Sequence, residues 1–386
     1  MQSRAPSLGQ VRAFAQRLAW AVALAGLGLA CSSSEGGNAP AGAGTSSGGS
    51  SGATSNAAGT APIGGGGAGG AGGAGGGGAG ASTGGGAGLA GSAGASAGGG
   101  TGGAAGMAGS GGQAQATELR ITSSNIRYGT ADDGVNAWDE RRELLFEVLT
   151  DQAFDSAGLQ EALAFQLEEL DVALPSYGRV GVGRDDGKTK GEYSAILYLK
   201  ARYEAVSSGT FWFSDTPETP GSMSWGNTLP RICTWARLKN IATGRHYYHY
   251  NVHYDHLSQP SREKSSQLLA ARIAQRSDQA DPVIVTGDFN AEPDNLAITY
   301  LLGTANIAGM QNPFKMQDAW LDFHAADPDS TTHHAFMGGT TGGIHIDYVM
   351  YGPGVMSKSA EIVRTHEGDV YPSDHYPVSA VLALTP

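Results

Sequence analysis

Downstream of residue 116 the chain alternates short apolar runs with polar breaks. Runs of strand length and β-rich composition recur at 119–126, 157–160, 195–200, 232–238, 247–253, 283–286, 344–351 and 378–384, and each reads as a strand. Two segments carry helical spacing instead. Leu144, Leu145, Val148 and Leu149 fall on one face of 140–149, and Leu268, Leu269, Ala270 and Ile273 on one face of 262–276. Many strands, few helices and no regular βαβ alternation predict an α/β protein with two stacked sheets and helices outside, not a doubly wound nucleotide fold.

The N-terminal part has a different pattern. From 36 to 116 there is no charged and no aromatic residue, in a chain of 386 residues that holds 61 Gly. Gly, Ala, Ser and Thr bury too little apolar surface to offset the entropy of ordering, so 32–116 is expected to be a disordered Gly/Ala/Ser-rich linker. Ahead of it, Arg4, Arg12 and Arg17 precede an apolar run at 20–30. That is the layout of a secretory signal, and the run is shorter than the ~20 apolar residues a membrane span needs. Gly28-Leu29-Ala30-Cys31 resembles a bacterial lipobox, with Gly28 where Leu is expected. Residues 1–31 therefore read as a signal peptide with lipidation at Cys31, and ordinary cleavage near Ala30 is the alternative. The protein is expected to be exported, as an outer-membrane lipoprotein of the cell envelope held to the membrane by its lipid, or secreted.

Roughly 270 residues, 117–386, remain for one sizeable core. The whole chain has 24 Lys and Arg against 36 Asp and Glu, a net charge of −12. Only Arg4, Arg12, Arg17 and Glu35 of these lie before Thr117, so the domain is the more acidic part and lacks a broad basic face for nucleic acid. Cys233 is the only cysteine after Cys31. No disulfide can form within the domain, and Cys233 reads as a small buried strand residue.

Several polar groups sit at the ends of apolar runs. Asn125 and Glu161 end two of the expected strands, and amide and carboxylate oxygens suit a hard divalent cation. In the segment VTGDFN, Gly287 is read as permitting a tight turn. Asp288 and Asn290 would then project to one side if the chain stays extended, Asp288 to take a proton from water and Asn290 to hold water or phosphate. A plain strand-to-turn transition would give the same four letters. His253 ends an aromatic-rich strand and His375 follows Asp374. Imidazoles can donate to phosphate near neutral pH. Asp347, inside an apolar run, needs a buried partner, either an imidazole N–H or the backbone of a turn it caps. A phosphate ester repels nucleophiles, and its cleavage calls for cations or donors on its oxygens, a base for water and help for the leaving oxygen. This set supplies all three.

The ordered series SSNIRY, LQE, VGRDDG, GEYSAILY, NVHYDH, VTGDFN, HIDYV and SDHYPV resembles the endonuclease/exonuclease/phosphatase superfamily, which includes deoxyribonuclease I, apurinic endonucleases, neutral sphingomyelinases and inositol polyphosphate phosphatases. The resemblance runs from about Leu119 to Leu384. It implies a four-layer α-β-β-α sandwich of two mixed sheets with Mg²⁺ or Mn²⁺ between the sheet edges. By motif position Asn125 and Glu161 would bind the metal, helped by Asp374, and Asp288 with Asn290 would activate water. His375, oriented by Asp347, would contact the phosphate, and His253 would assist the leaving oxygen or the phosphate. Glu192 is placed to pair with His253, and Asp255 competes for that role. VGRDDG, FWFSDTP, LPRICTW and Thr332 with His334 resemble a group of secreted bacterial members. Arg184, Arg231 and His334 are candidate substrate contacts, with structural salt bridges as the alternative for the two arginines, and Trp212 and Phe213 read as core. The resemblance implies a monomeric, metal-dependent phosphoesterase acting outside the cytoplasm on nucleic acid, a phospholipid head group or a small phosphate ester. The alternatives are a secreted nuclease acting on DNA or RNA and a non-catalytic binding lipoprotein that kept the fold.

Overall fold

A computed structural model describes residues 117–325, 327 and 329–385. The expected signal peptide with Cys31 and the expected linker at 32–116 lie outside the described residues. Two six-stranded sheets face each other. The first contains β1 (Thr117–Asn125), β2 (Ser156–Ala162), β3 (Tyr177–Val180), β4 (Tyr193–Leu199), β11 (Val355–Ile362) and β12 (Val378–Leu384), in the order β11-β12-β1-β2-β4-β3. The second contains β5 (Tyr203–Trp212), β6 (Ile232–Asn240), β7 (His246–His253), β8 (Val283–Asp288), β9 (Gln317–Asp318) and β10 (Asp347–Tyr351), in the order β5-β6-β7-β8-β10-β9. Both are mixed. β1 and β2 run parallel, as do β7 and β8, and the other pairs are antiparallel.

Helices cover the outer faces. On the first sheet lie α1 (Trp138–Gln152) and α2 (Ala164–Ala173), whose Leu145, Leu149, Leu167 and Leu170 pack on Ala157, Leu159, Ala195 and Leu197. On the second lie α3 (Gln259–Ala274) and α4 (Leu296–Leu301), where Leu269, Ile273, Ile298 and Leu301 pack on Val283, Val285 and Tyr348. A further short helix, α5 (Leu321–His324), follows β9. Leu119, Ile121, Ile196, Leu238, Ile284, Val349 and Leu382 fill the space between the sheets. The result is the four-layer sandwich expected from the sequence. Cys233, Trp212 and Phe213 are buried, as expected of core residues.

Toward one end of the sandwich the filling between the sheets turns polar. Gln160 donates to Asn251 at 2.6 Å, Thr286 donates to the same Asn251 oxygen at 3.0 Å, and His249 meets Thr286 at 2.8 Å and Ser156 at 3.0 Å. Burial holds His249 neutral, pushed down to about 3, so the network is paid for by mutual hydrogen bonds and not by charge. Gly158 lies against it, where a Cβ would stand 2.0 Å from the Thr286 hydroxyl.

Three local expectations are corrected. Residues 344–346 are not strand, because the backbone N–H groups of Ile346 and Asp347 are taken by the Thr332 hydroxyl and β10 starts at Asp347. Gly287 makes no turn. It lies within β8 at a close approach, where a Cβ would meet Val252 at 2.4 Å. The chain is not extended through Asn290, which has φ 47.

Candidate active site at one end of the two sheets

The topology gathers the polar groups that the sequence places at strand ends. β1, β2, β7 and β8 finish at one end of the sandwich, and β4, β6, β10 and β12 start there. Across three neighbouring strands His253, Asp288 and Asp347 stand in register, with Asp288 in the middle. From the facing sheet the Asn125 amide donates to Asp288 at 3.0 Å and to Glu161 at 3.1 Å. Glu161 sits on the bulge of β2 with φ 61, a strained conformation for a non-glycine residue. It also accepts the backbone N–H of Tyr128 at 3.1 Å.

Asp347 holds Nδ1 of His375 at 2.8 Å, and Nε2 of the same ring lies 3.9 Å from Asp288. Nε2 of His253 lies 3.6 Å from Asp288 and its Nδ1 3.7 Å from Glu192. Glu192 is thus the carboxylate that faces His253. The rival, Asp255, spends one oxygen on the N–H groups of Leu257 and Ser258. Asn290 braces Asp288 through its own backbone N–H at 2.9 Å, while its side-chain amide donates to the Tyr254 carbonyl.

Burial pushes the Asp288 carboxyl up to about 7, and neighbouring Asp347 adds to the rise. Burial alone would lower His375, but Asp347, Asp374 and Asp288 outweigh it and raise the ring to about 10. His253 is held well below its usual range by burial and by Arg231 and Arg184. The site therefore pairs an imidazolium with a neutral imidazole about a carboxylate whose affinity for protons is raised.

Glu161, His253 and Asp288 bring ligand atoms within 4.8 Å of one another, as do Asp288, Asp347 and His375, and His333, Asp374 and His375. Carboxylate and amide oxygens are the donors hard divalent ions take, and a buried carboxylate with a raised proton affinity is one a cation would relieve. The donor chemistry fits a divalent metal. Within the expected set, Glu161 and Asn125 meet at Asp288, whereas Asp374 stands beside His333 and His375, 3.7 Å from Arg127. The Asn125 oxygen accepts the Arg127 N–H, so its NH₂ group, not its oxygen, faces the two carboxylates.

Arg184 and Arg231 are buried, Arg184 against Glu192 at 2.5 Å and Arg231 against His256 at 2.8 Å. His334 lies behind Asp374, whose backbone carbonyl accepts its N–H. Its ring stacks on Tyr376 at 3.9 Å and its Nε2 is buried with no partner among the described residues.

Three residues were not foreseen. The His333 ring lies 4.6 Å from that of His375. Arg127 forks onto Asp133 at 2.9 and 3.1 Å. Arg141, wholly buried, donates to the carbonyls of Ile126, Arg127, Asn136 and Pro372 at 2.7–2.9 Å. It ties the segment after Asn125 to the one before Asp374 and His375. The sequence does carry a signal for it, since position 141 falls on the same helical stripe as Leu144, Leu145 and Val148.

Residues 122–375 match the profile of the Endonuclease/Exonuclease/phosphatase family. An endonuclease/exonuclease/phosphatase from Bacteroides vulgatus is 34% identical, with 69% of this chain and 99% of that one covered and a TM-score of 0.63. A mannosyl-6-phosphatase of Bacteroides thetaiotaomicron is 30% identical over 68% of this chain and 99% of its own, with a TM-score of 0.62. An uncharacterized protein of Acanthamoeba polyphaga mimivirus is 28% identical over 130 residues, 29% of this chain, and the match spans 19% of that relative's length. The matched span takes in the strand ends where the acids and imidazoles converge, and the chain belongs to the endonuclease/exonuclease/phosphatase family, whose members are phosphoester hydrolases.

Proposed function

We propose that the protein is a divalent-metal-dependent phosphoesterase that acts outside the cytoplasm on a small phosphate ester. The observation that carries the reading is the register of His253, Asp288 and Asp347, met from the opposite sheet by Asn125 and Glu161. Glu161 and Asn125, with Asp374 directly or through water, would hold Mg²⁺ or Mn²⁺, the Asn125 amide turning its oxygen inward. A bound ion would neutralise phosphate charge and acidify water. Asp288, braced by Asn290, takes the proton of the attacking water. His375, kept as imidazolium by Asp347, donates to a phosphate oxygen, and neutral His253, faced by Glu192, serves the phosphate or the leaving oxygen. Arg184 and Arg231 contact the substrate, and His334 supports the substrate side behind Asp374.

The 30% identical mannosyl-6-phosphatase supports a small ester as substrate. The acidic balance of the chain disfavours duplex nucleic acid, whose binding draws on counterion release by clustered cations. Export follows from Arg4, Arg12, Arg17, the apolar run and Cys31, with the lipid as membrane anchor.

The full chain, assayed with Mn²⁺ or Mg²⁺ against sugar phosphates, inositol phosphates, sphingomyelin, DNA and RNA, should hydrolyse a small ester and lose that activity in EDTA and in Asp288→Ala. Turnover of none of them would leave the binding-lipoprotein reading. Palmitate labelling that persists in Cys31→Ser would remove the anchor.

A further inference from the structure

Arg184, from the β3–β4 loop, and Arg231, immediately before β6, come from segments attached to opposite sheets and line one narrow crevice with Glu192 and His253. Their exposures are 6% and 3%. Neither guanidinium is saturated. Arg184 meets Glu192 through Nη1 and Arg231 meets His256 through Nη2, while Nε of each is buried with no hydrogen-bond partner among the described residues. Asp255 is the nearest acid to Arg231 Nε, at 3.7 Å, beyond hydrogen-bond reach. Burial and then the charge of Arg184 both work against the charge on Arg231. Glu192 and Asp255 already answer the two charges, so what the site leaves over is the unused donors of both guanidiniums, a cost that further acceptor oxygens would relieve.

We propose that Arg184 and Arg231 receive the non-bridging oxygens of a doubly charged terminal phosphate, which makes the protein a phosphomonoesterase. The inference rests on the phosphoesterase reading and narrows its substrate. His253 lines the same crevice and reaches toward Asp288, so an anion held there adjoins the reacting centre. A monoester brings charged oxygens to both guanidiniums. A diester would set an esterified, uncharged oxygen and its substituent against one of them, and sites built around buried donors reject ligands that leave those donors unpaired.

The test uses the full chain with Mn²⁺, p-nitrophenyl phosphate as monoester and bis(p-nitrophenyl) phosphate as diester. Wild type should favour the monoester in kcat/KM by roughly a hundredfold, the worth of one or two charge-assisted hydrogen bonds. Arg184→Gln and Arg231→Gln should each lower monoester kcat/KM roughly ten- to a hundredfold and diester kcat/KM less, so that the preference collapses. Arg184→Lys and Arg231→Lys, which keep the charge, should retain part of it and guard against variants that fail to fold. Preference for the diester, or an equal fall on both substrates, overturns the proposal and leaves the phosphoesterase reading standing. If wild type cleaves neither ester, the phosphoesterase reading is decided by the panel of natural esters. Calorimetric binding of inorganic phosphate then decides the anion site: weaker binding by the Gln variants supports it, and unchanged binding overturns it.

Discussion

Asp347 Oδ2 accepts the hydrogen bond of His375 Nδ1 at 2.8 Å, both side chains being buried. The contact holds the ring as imidazolium and turns Nε2 toward Asp288. Asp347→Ala should lower turnover by roughly 10²–10⁴-fold. Steady-state rates on the best substrate check this, and a variant keeping more than half of wild-type activity contradicts the role.

The two raised groups make stability depend on pH. His375 is raised from 6.5 to about 10, so its contribution is complete below 6.5 and is lost as pH climbs through about 10. Asp288 is raised from 3.8 to about 7, chiefly by burial, and its protonated form likewise favours the folded state. Metal-free protein should therefore lose stability on account of Asp288 as pH rises from 3.8 through about 7. Asp288→Asn should flatten that limb. Urea denaturation at stepped pH in EDTA measures it, and an identical slope in the variant would count against the assignment.

Glu161 occupies left-handed backbone on a strand bulge. Glycine adopts that conformation freely, at an entropic cost when it folds. Glu161→Gly is expected to stay within about 1 kcal/mol of wild-type stability while activity at low Mn²⁺ falls more than roughly tenfold. Metal titration of activity beside thermal melts separates the two effects.

Gly158→Ala would drive a methyl into Thr286 and Asn251, in the buried network between the sheets. Overpacking together with broken buried hydrogen bonds should destabilise by about 2–4 kcal/mol. Chemical denaturation gives the figure, and a loss within error would mean the sheets can separate locally.

Arg141 spends its guanidinium on four carbonyls and, among the described residues, has no carboxylate within bonding distance. Arg141→Met leaves those carbonyls unpaired, and a loss of more than about 3 kcal/mol is expected. Arg141→Lys, with one point of attachment, should recover only part of it. Added guanidinium at millimolar concentration should restore some activity to a folded Arg141→Ala protein, which a merely loosened core would not produce.

The eight strands legible from composition are the interior ones, and the four that escaped, β3, β5, β9 and β11, are the sheet edges. The cause is physical. Interior strands are covered on both faces and read as apolar runs, whereas edges carry polar residues such as Ser207, Ser208, Ser357, Lys358 and Glu361. The site was legible for the same reason in reverse. Asp288, Asp347, His253 and His375 stand out as polar groups beside interior runs, while Arg127, Arg141 and His333 lie in loops or a charged helix where a cation or imidazole is commonplace. The way Asn290 reaches Asp288, through its backbone N–H, was not legible because the chain bends into the left-handed region there.

Thr117 and Leu384 are cross-strand partners, so the first and last described strands meet at the pole opposite Asn125 and His375. A short covalent bridge between those ends, with new termini opened in an exposed turn such as that at Thr243 and Gly244, would give a circular permutant with every catalytic strand end untouched. For the same reason, a surface or carrier coupled at the Thr117 pole would leave the reacting edge open to dissolved substrate.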